Sequence, residues 1–228
     1  MAINTYDTLK VAVSNWLDRS DMADGGSLEG RVEEFIALAE ARMNRTLRLS
    51  MMLNVDQTTL GGAAALVAGT RDYALPSGYL QMLDFHLRTD PITTLSYLTL
   101  ENMNRMWAGS QGGRPQAYTI FSDNASGTPV KKVRLGPSPD VAYDYSITFY
   151  KKIDALSDSN TTEQMLTDNP DVYLYGALME AEPFLMNDSR VQLWATALAQ
   201  SISALQEQDN KDRHSGSAMR VMNTGGYQ

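Results

Sequence analysis

The chain has 228 residues, 43% of them apolar, and carries 19 Lys and Arg against 27 Asp and Glu, a net charge of -8. That length can bury one or two cores, and the acidic balance argues against tight DNA binding, which needs Lys and Arg to displace counterions from phosphates. With no cysteine, and with His86 and His214 far apart and outside any metal-ligand spacing, disulfides, thiolate catalysis and zinc chemistry are set aside, and neither metal nor cofactor is expected.

No run approaches the roughly 18 consecutive apolar residues of a membrane span, and the first ten residues have no secretory-signal pattern, so the expectation is a protein kept in a cytoplasm. Tyr6, Leu9, Val13, Trp16 and Leu17 then recur at helical spacing, with Thr5 placed to cap the first turn and Asp24-Gly25-Gly26 to end the pattern. This predicts a helix over 6–19. Ser27 can cap a second helix whose stripe is Val32, Phe35, Ile36, Ala39, Met43 and Leu47, leaving Glu33, Glu40, Arg42 and Arg45 largely outside it. The two helices should pack as an antiparallel hairpin.

From Leu53 the composition turns to Thr and Val punctuated by Gly and Pro, predicting strands over 53–60, 71–75, 79–88, 116–121 and 130–135. The clearest strand is 143–150, where Tyr143, Tyr145, Ile147 and Phe149 share one face and Asp144, Ser146 and Thr148 the other. Gly61 to Ala65 reads as an exposed loop or hairpin tip. Thr99 is placed to cap a short helix reaching Trp107.

Past Ser157 the helical period returns, with Asn169 as cap, Pro170 in the first turn, and Val172, Tyr175 and Met179 on one side. Pro183 should kink or end that helix. After a break at Asn187-Asp188-Ser189, the stripe Val191, Trp194, Leu198, Ile202 and Leu205 predicts a last helix to about Asn210. The final residues, from Lys211, hold too few apolar groups to order themselves alone, so a partner must order them. Trp16, Phe35, Tyr175 and Trp194 are the expected core anchors.

The fold expected from this order is mainly α with a β insertion. A helical bundle formed by the N- and C-terminal helices (1–50 and 160–212) carries a small antiparallel β domain (51–159) inserted between them, with 213–228 as an extended tail.

Phosphate loops, nucleophile elbows and metalloprotease motifs are missing from the sequence. What remains for catalysis is a carboxylate pair drawn from Glu33, Glu40, Glu180 and Glu182, since glycoside hydrolysis needs only two. Glutamates on amphipathic helices are more often solvated or ion-paired, so no catalytic residue is expected. Residues 153–189 hold eight acids (Asp154, Asp158, Glu163, Asp168, Asp171, Glu180, Glu182 and Asp188) and no Lys or Arg, a number equal to the chain's whole charge excess. Solvation of that stretch and exposure to a DNA passage both fit it.

Several phrases resemble the tailed-phage head-tail adaptor family. They are Phe35-Ile36-Ala37-Leu38-Ala39-Glu40-Ala41-Arg42-Met43-Asn44-Arg45, Leu75-Pro76-Ser77-Gly78-Tyr79-Leu80 and Leu135-Gly136-Pro137-Ser138-Pro139. A further block runs Pro170-Asp171-Val172-Tyr173-Leu174-Tyr175-Gly176-Ala177-Leu178, then Glu180-Ala181-Glu182-Pro183-Phe184-Leu185, and is similar to that family's carboxy-terminal helical hairpin. The resemblance implies a non-enzymatic virion protein of the short-tailed-phage type, assembled in the host cytoplasm into a twelve-subunit ring. The ring would join the portal above to a tail nozzle or tail fibres below, letting DNA pass without tight binding. It also implies a carboxy-terminal element reaching the portal, for which Arg213, Met219, Arg220, Val221 and Tyr227 are the candidate contacts. Two rivals stand beside it, a virion-associated peptidoglycan-cleaving glycosidase and an assembly scaffold outside the virion.

Overall fold

The computed structural model of the chain describes residues 2–22, 26, 28, 30–57, 60, 65–109, 112–124, 127–186 and 188–214. It divides into two compact units, Met1–Met51 with Ile153–Gln228, and Met52–Lys152. The chain opens with helices α1 (Tyr6–Leu17) and α2 (Arg31–Thr46). Strands β1 (Leu53–Asp56), β2 (Ala65–Leu66), β3 (Asp72–Ala74), β4 (Tyr79–Leu87), β5 (Thr93–Thr94) and β6 (Ser96–Tyr97) follow, then helix α3 (Leu100–Met106). Next come β7 (Gly112–Gly113), β8 (Ala117–Asp123), β9 (Val130–Gly136), β10 (Ser138–Pro139) and β11 (Tyr143–Lys151). Helices α4 (Gln164–Asp168), α5 (Pro170–Phe184) and α6 (Asp188–Arg213) close it.

In the helical unit, α1 starts where expected because Thr5 and Thr8 satisfy each other's backbone: Thr8 N–H donates to Thr5 Oγ1 at 3.3 Å and Thr5 N–H to Thr8 Oγ1 at 2.9 Å. It stops before Arg19 because Asp18 takes the left-handed conformation (φ 55) and its N–H returns to Asn15; Asp24 and Gly25 lie outside the described residues. The second helix begins after Gly30 (φ 87), and Ser27, the expected cap, is outside the described residues as well.

The centre of this unit is α5, buried on nearly every side through Val172, Tyr173, Leu174, Ala177, Leu178 and Ala181. Helices α1, α2 and α6 all pack on it, and α1 meets α2 only marginally, so the expected two-helix hairpin gives way to joint packing on a later element. Gly176 permits the close approach of α2, since a Cβ there would lie 3.1 Å from Ala39 Cβ. Asn169 precedes Pro170 but makes no side-chain cap bond; α4 ends at the residue before it, and its amide lies 3.8 Å from Met165 Sδ.

In the β unit, β11 is the spine of one sheet, flanked by β1 and β2 on one side and by β4 on the other, with β5 on β4. A second sheet runs β3-β9-β8-β6, and β10 pairs with β7. The alternation in β11 appears as read: Tyr145, Ile147 and Phe149 are at most 1% exposed, and Tyr143 is partly buried. They meet Phe85 and Leu87 of β4, Tyr118 of β8, and Val133 and Leu135 of β9 in one core, each large side chain contributing about 1.5 to 3 kcal/mol by burial.

The mainly α architecture with a small antiparallel insertion is overturned. Of the described residues 44% are helical and 26% lie in strands, arranged in three sheets. The strands enclose a core of their own, and β6 with β8 and β10 with β7 pair in parallel. Local alternation reveals that a strand exists; it says nothing of which neighbour it takes. Parallel neighbours need a crossover, which α3 supplies between β6 and β8. Gly136 leaves room for that helix, because a Cβ there would collide with Met103 and the Trp107 ring.

Candidate interaction surfaces

Of the expected core anchors, Phe35 and Trp194 are buried at 4% and 9% exposure, and Tyr175 is half-buried. Trp16 is not a core residue: it is 48% exposed. Its ring meets Trp194 at 5.6 Å and Tyr175 at 6.3 Å, both edge-on, while Tyr175 and Trp194 stack at 6.0 Å. Helical periodicity placed Trp16 on the apolar stripe of α1, but the buried face of that helix is Tyr6, Leu9, Val13 and Leu17, and Trp16 lies half exposed beside it. Trp194 is locked from behind, its Nε1–H donating to Glu182 Oε1 at 2.9 Å.

The acidic stretch is not uniformly solvated. Glu182 is 1% exposed, Glu180 pairs with Arg42 at 2.5 Å, and Asp158 lies 3.6 Å from Lys10. Asp168 and Asp171 are exposed. Glu40, expected outside the stripe of α2, is only 5% exposed and accepts from Leu156 N–H at 2.9 Å. One helical turn on, Asn44 Oδ1 accepts from Ile153 N–H at 2.8 Å, so the two side chains hold the segment Ile153 to Leu156 against α2. Burial pushes the Glu40 carboxyl up to about 7, opposed by the Leu156 N–H and reinforced by the charge of Glu163. The neighbouring Tyr173 hydroxyl, buried without a hydrogen-bond partner among the described residues, is pushed far above its usual value, first by burial and then by Glu40 and Glu163.

All four candidate catalytic glutamates are engaged by neighbours: Glu33 lies 3.5 Å from Lys10, Glu40 accepts from Leu156, Glu180 faces Arg42, and Glu182 holds Trp194. Among the described residues no group of three or more His, Asp or Glu is placed to hold a metal ion. His86 Nδ1 contacts Asp84 Oδ2 at 2.6 Å, and His214 contacts the Asn210 carbonyl.

Of the candidate portal contacts, Arg213 ends α6, pairs with Asp209 at 2.8 Å and donates to the Arg48 carbonyl at 3.3 Å. Met219, Arg220, Val221 and Tyr227 lie outside the described residues. A surface that the sequence reading did not anticipate is a groove of 560 Å³ in the β unit, contributed by β4, β6, β8 and β9 and walled by Tyr79, Tyr97 and Tyr118. Burial raises the phenols of Tyr79, to about 12, and of Tyr118.

Exposed aromatic surface backed by internally paired polar groups is the build of a protein that works through contacts with other chains. A family model described as SU10 adaptor protein matches residues 4–222. The chain belongs to the SU10 adaptor protein family and is a bacteriophage structural adaptor. No curated protein matches it. No helix among the described residues is long and apolar enough to cross a membrane.

Proposed function

We propose that this adaptor closes into a twelve-subunit ring in the neck of a short-tailed phage, joining the portal to the tail nozzle or fibres while DNA passes through. The observation that carries the reading is the extent of the family match, which takes in both units of the chain. The protein acts by binding and not by catalysis, a view supported by the commitment of Glu33, Glu40, Glu180 and Glu182 to neighbouring groups.

The portal contact is assigned to residues 213–228. Their few apolar side chains, Met219, Val221, Met222 and Tyr227, cannot offset their own ordering entropy but can gain area on a neighbouring protein. A chain lacking 215–228 is expected to fold as the full chain does and to lose capture by immobilised portal rings. Unchanged portal affinity in that variant would remove the tail from the account.

A further inference from the structure

The chain's charge is divided unequally between its units. Residues 52–152 hold nine basic and eight acidic side chains, a balance of +1, leaving ten basic and nineteen acidic, a balance of -9, for the rest. Four of the six lysines form two adjacent pairs in the β unit, Lys131-Lys132 and Lys151-Lys152, and the fold gathers three of the four. The turn at Gly78 (φ 74) runs between the stems of Lys151 and Lys152, each with its Cγ 3.2 Å from where a Cβ would stand. Lys152 N–H donates to the Gly78 carbonyl at 2.8 Å. On the next residue, Lys131 Nζ lies over the Tyr79 ring at 5.5 Å. Lys132 turns onto Asp123 at 2.6 Å.

Tyr79 also opens the tyrosine groove, whose lining among the described residues includes Lys131 and no carboxylate. Its other wall, Tyr97, is 58% exposed and meets Tyr118 edge-on at 5.6 Å. Tyrosines offer a large contact area at low conformational cost, and a cation beside them selects for a partner of negative charge.

We propose that this lysine-flanked tyrosine groove seats a second copy of the chain, which presents its acidic helical unit, so that successive subunits join head to tail through opposite charges. The inference rests on the ring reading and names the surface through which the ring closes. Charge identifies the occupant: the same chain carries the complementary sign, with Asp168 and Asp212 exposed on a 470 Å³ cleft of the helical unit whose third carboxylate, Asp209, is paired with Arg213. A contact between two unlike patches of one chain is the kind that closes a ring, and opposite potentials set its register.

The test is sedimentation of the full chain at low and high salt for two charge-reversed variants, Lys131→Glu with Lys152→Glu, and Asp168→Lys with Asp212→Lys, each checked for native circular dichroism. The wild type should associate less as salt rises, and each variant should associate roughly tenfold more weakly than the wild type. An equal mixture of the two should recover assembly, since each reversed face meets its complement. A lysine variant that assembles like the wild type overturns the surface and leaves the ring reading standing. A mixture that does not recover overturns the pairing of these two faces. Wild-type chain that stays monomeric with and without portal overturns the ring reading itself, and lysine-dependent binding of single-stranded DNA with unchanged self-association overturns the choice of occupant.

Discussion

Replacing Glu40 with Gln should stabilise the protein progressively as pH rises above about 4.5, with the full gain above about 7. The folded chain holds the Glu40 proton up to about 7, against an ordinary value of 4.5, chiefly because the carboxyl is buried, with the Leu156 N–H opposing the shift and Glu163 adding like-charge repulsion. The unfolded chain therefore ionises first. Below about pH 4.5 both states hold the proton and the group is neutral to stability. Between about 4.5 and 7 the unfolded state gains from ionisation and the wild type loses stability, and above 7 the loss is constant. A shift of that size corresponds to about 2 to 3 kcal/mol once residual solvation is allowed for. Glutamine keeps an oxygen for the Leu156 N–H and has no charge to bury. Thermal unfolding followed by far-UV circular dichroism should give Glu40→Gln a Tm about 5 to 10 °C above wild type at pH 8 and close to wild type at pH 4. A variant less stable than wild type at pH 8 would show that Glu40 is needed as a charge, and one displaced equally at both pH values would show that its ionisation is not linked to folding; either result would refute the argument.

Gly136→Ala should drive a methyl into Met103 and Trp107 and cost about 1 to 3 kcal/mol, seen as a lower urea midpoint for the β-unit signal. Trp194→Phe should leave Glu182 Oε1 without its indole donor and cost about 1 to 3 kcal/mol in thermal unfolding, whereas a contact of no consequence would leave Tm unchanged. Thr5→Ala should cost about 1 kcal/mol through loss of the α1 cap, measurable in the same melt.

Much of the secondary structure was legible because its causes are local. The alternation of Tyr143, Tyr145, Ile147 and Phe149 marks both a strand and its inner face, and Thr5 and Thr99 mark helix starts through their own hydroxyls. The two-residue strands β2, β5, β6, β7 and β10 carry no period at all; β2, β5 and β6 exist because a longer strand lies alongside and β7 and β10 because they meet each other, so they and their parallel pairings were out of reach. The burial of Glu40 and the exposure of Trp16 depend on where α5 lies, which neither α1 nor α2 encodes. The tyrosine groove draws on residues from Tyr79 to Lys131 and has no compact motif. Its one sequence signal was the pair of Lys-Lys dipeptides in an otherwise acidic chain.

The proposed ring is tested by the molar mass of the purified protein from light scattering, alone and after mixing with portal rings. A closed ring, or a monomer that joins the portal in a fixed multiple of twelve, is expected. A monomer that ignores the portal, above all one that cleaves peptidoglycan, would contradict it.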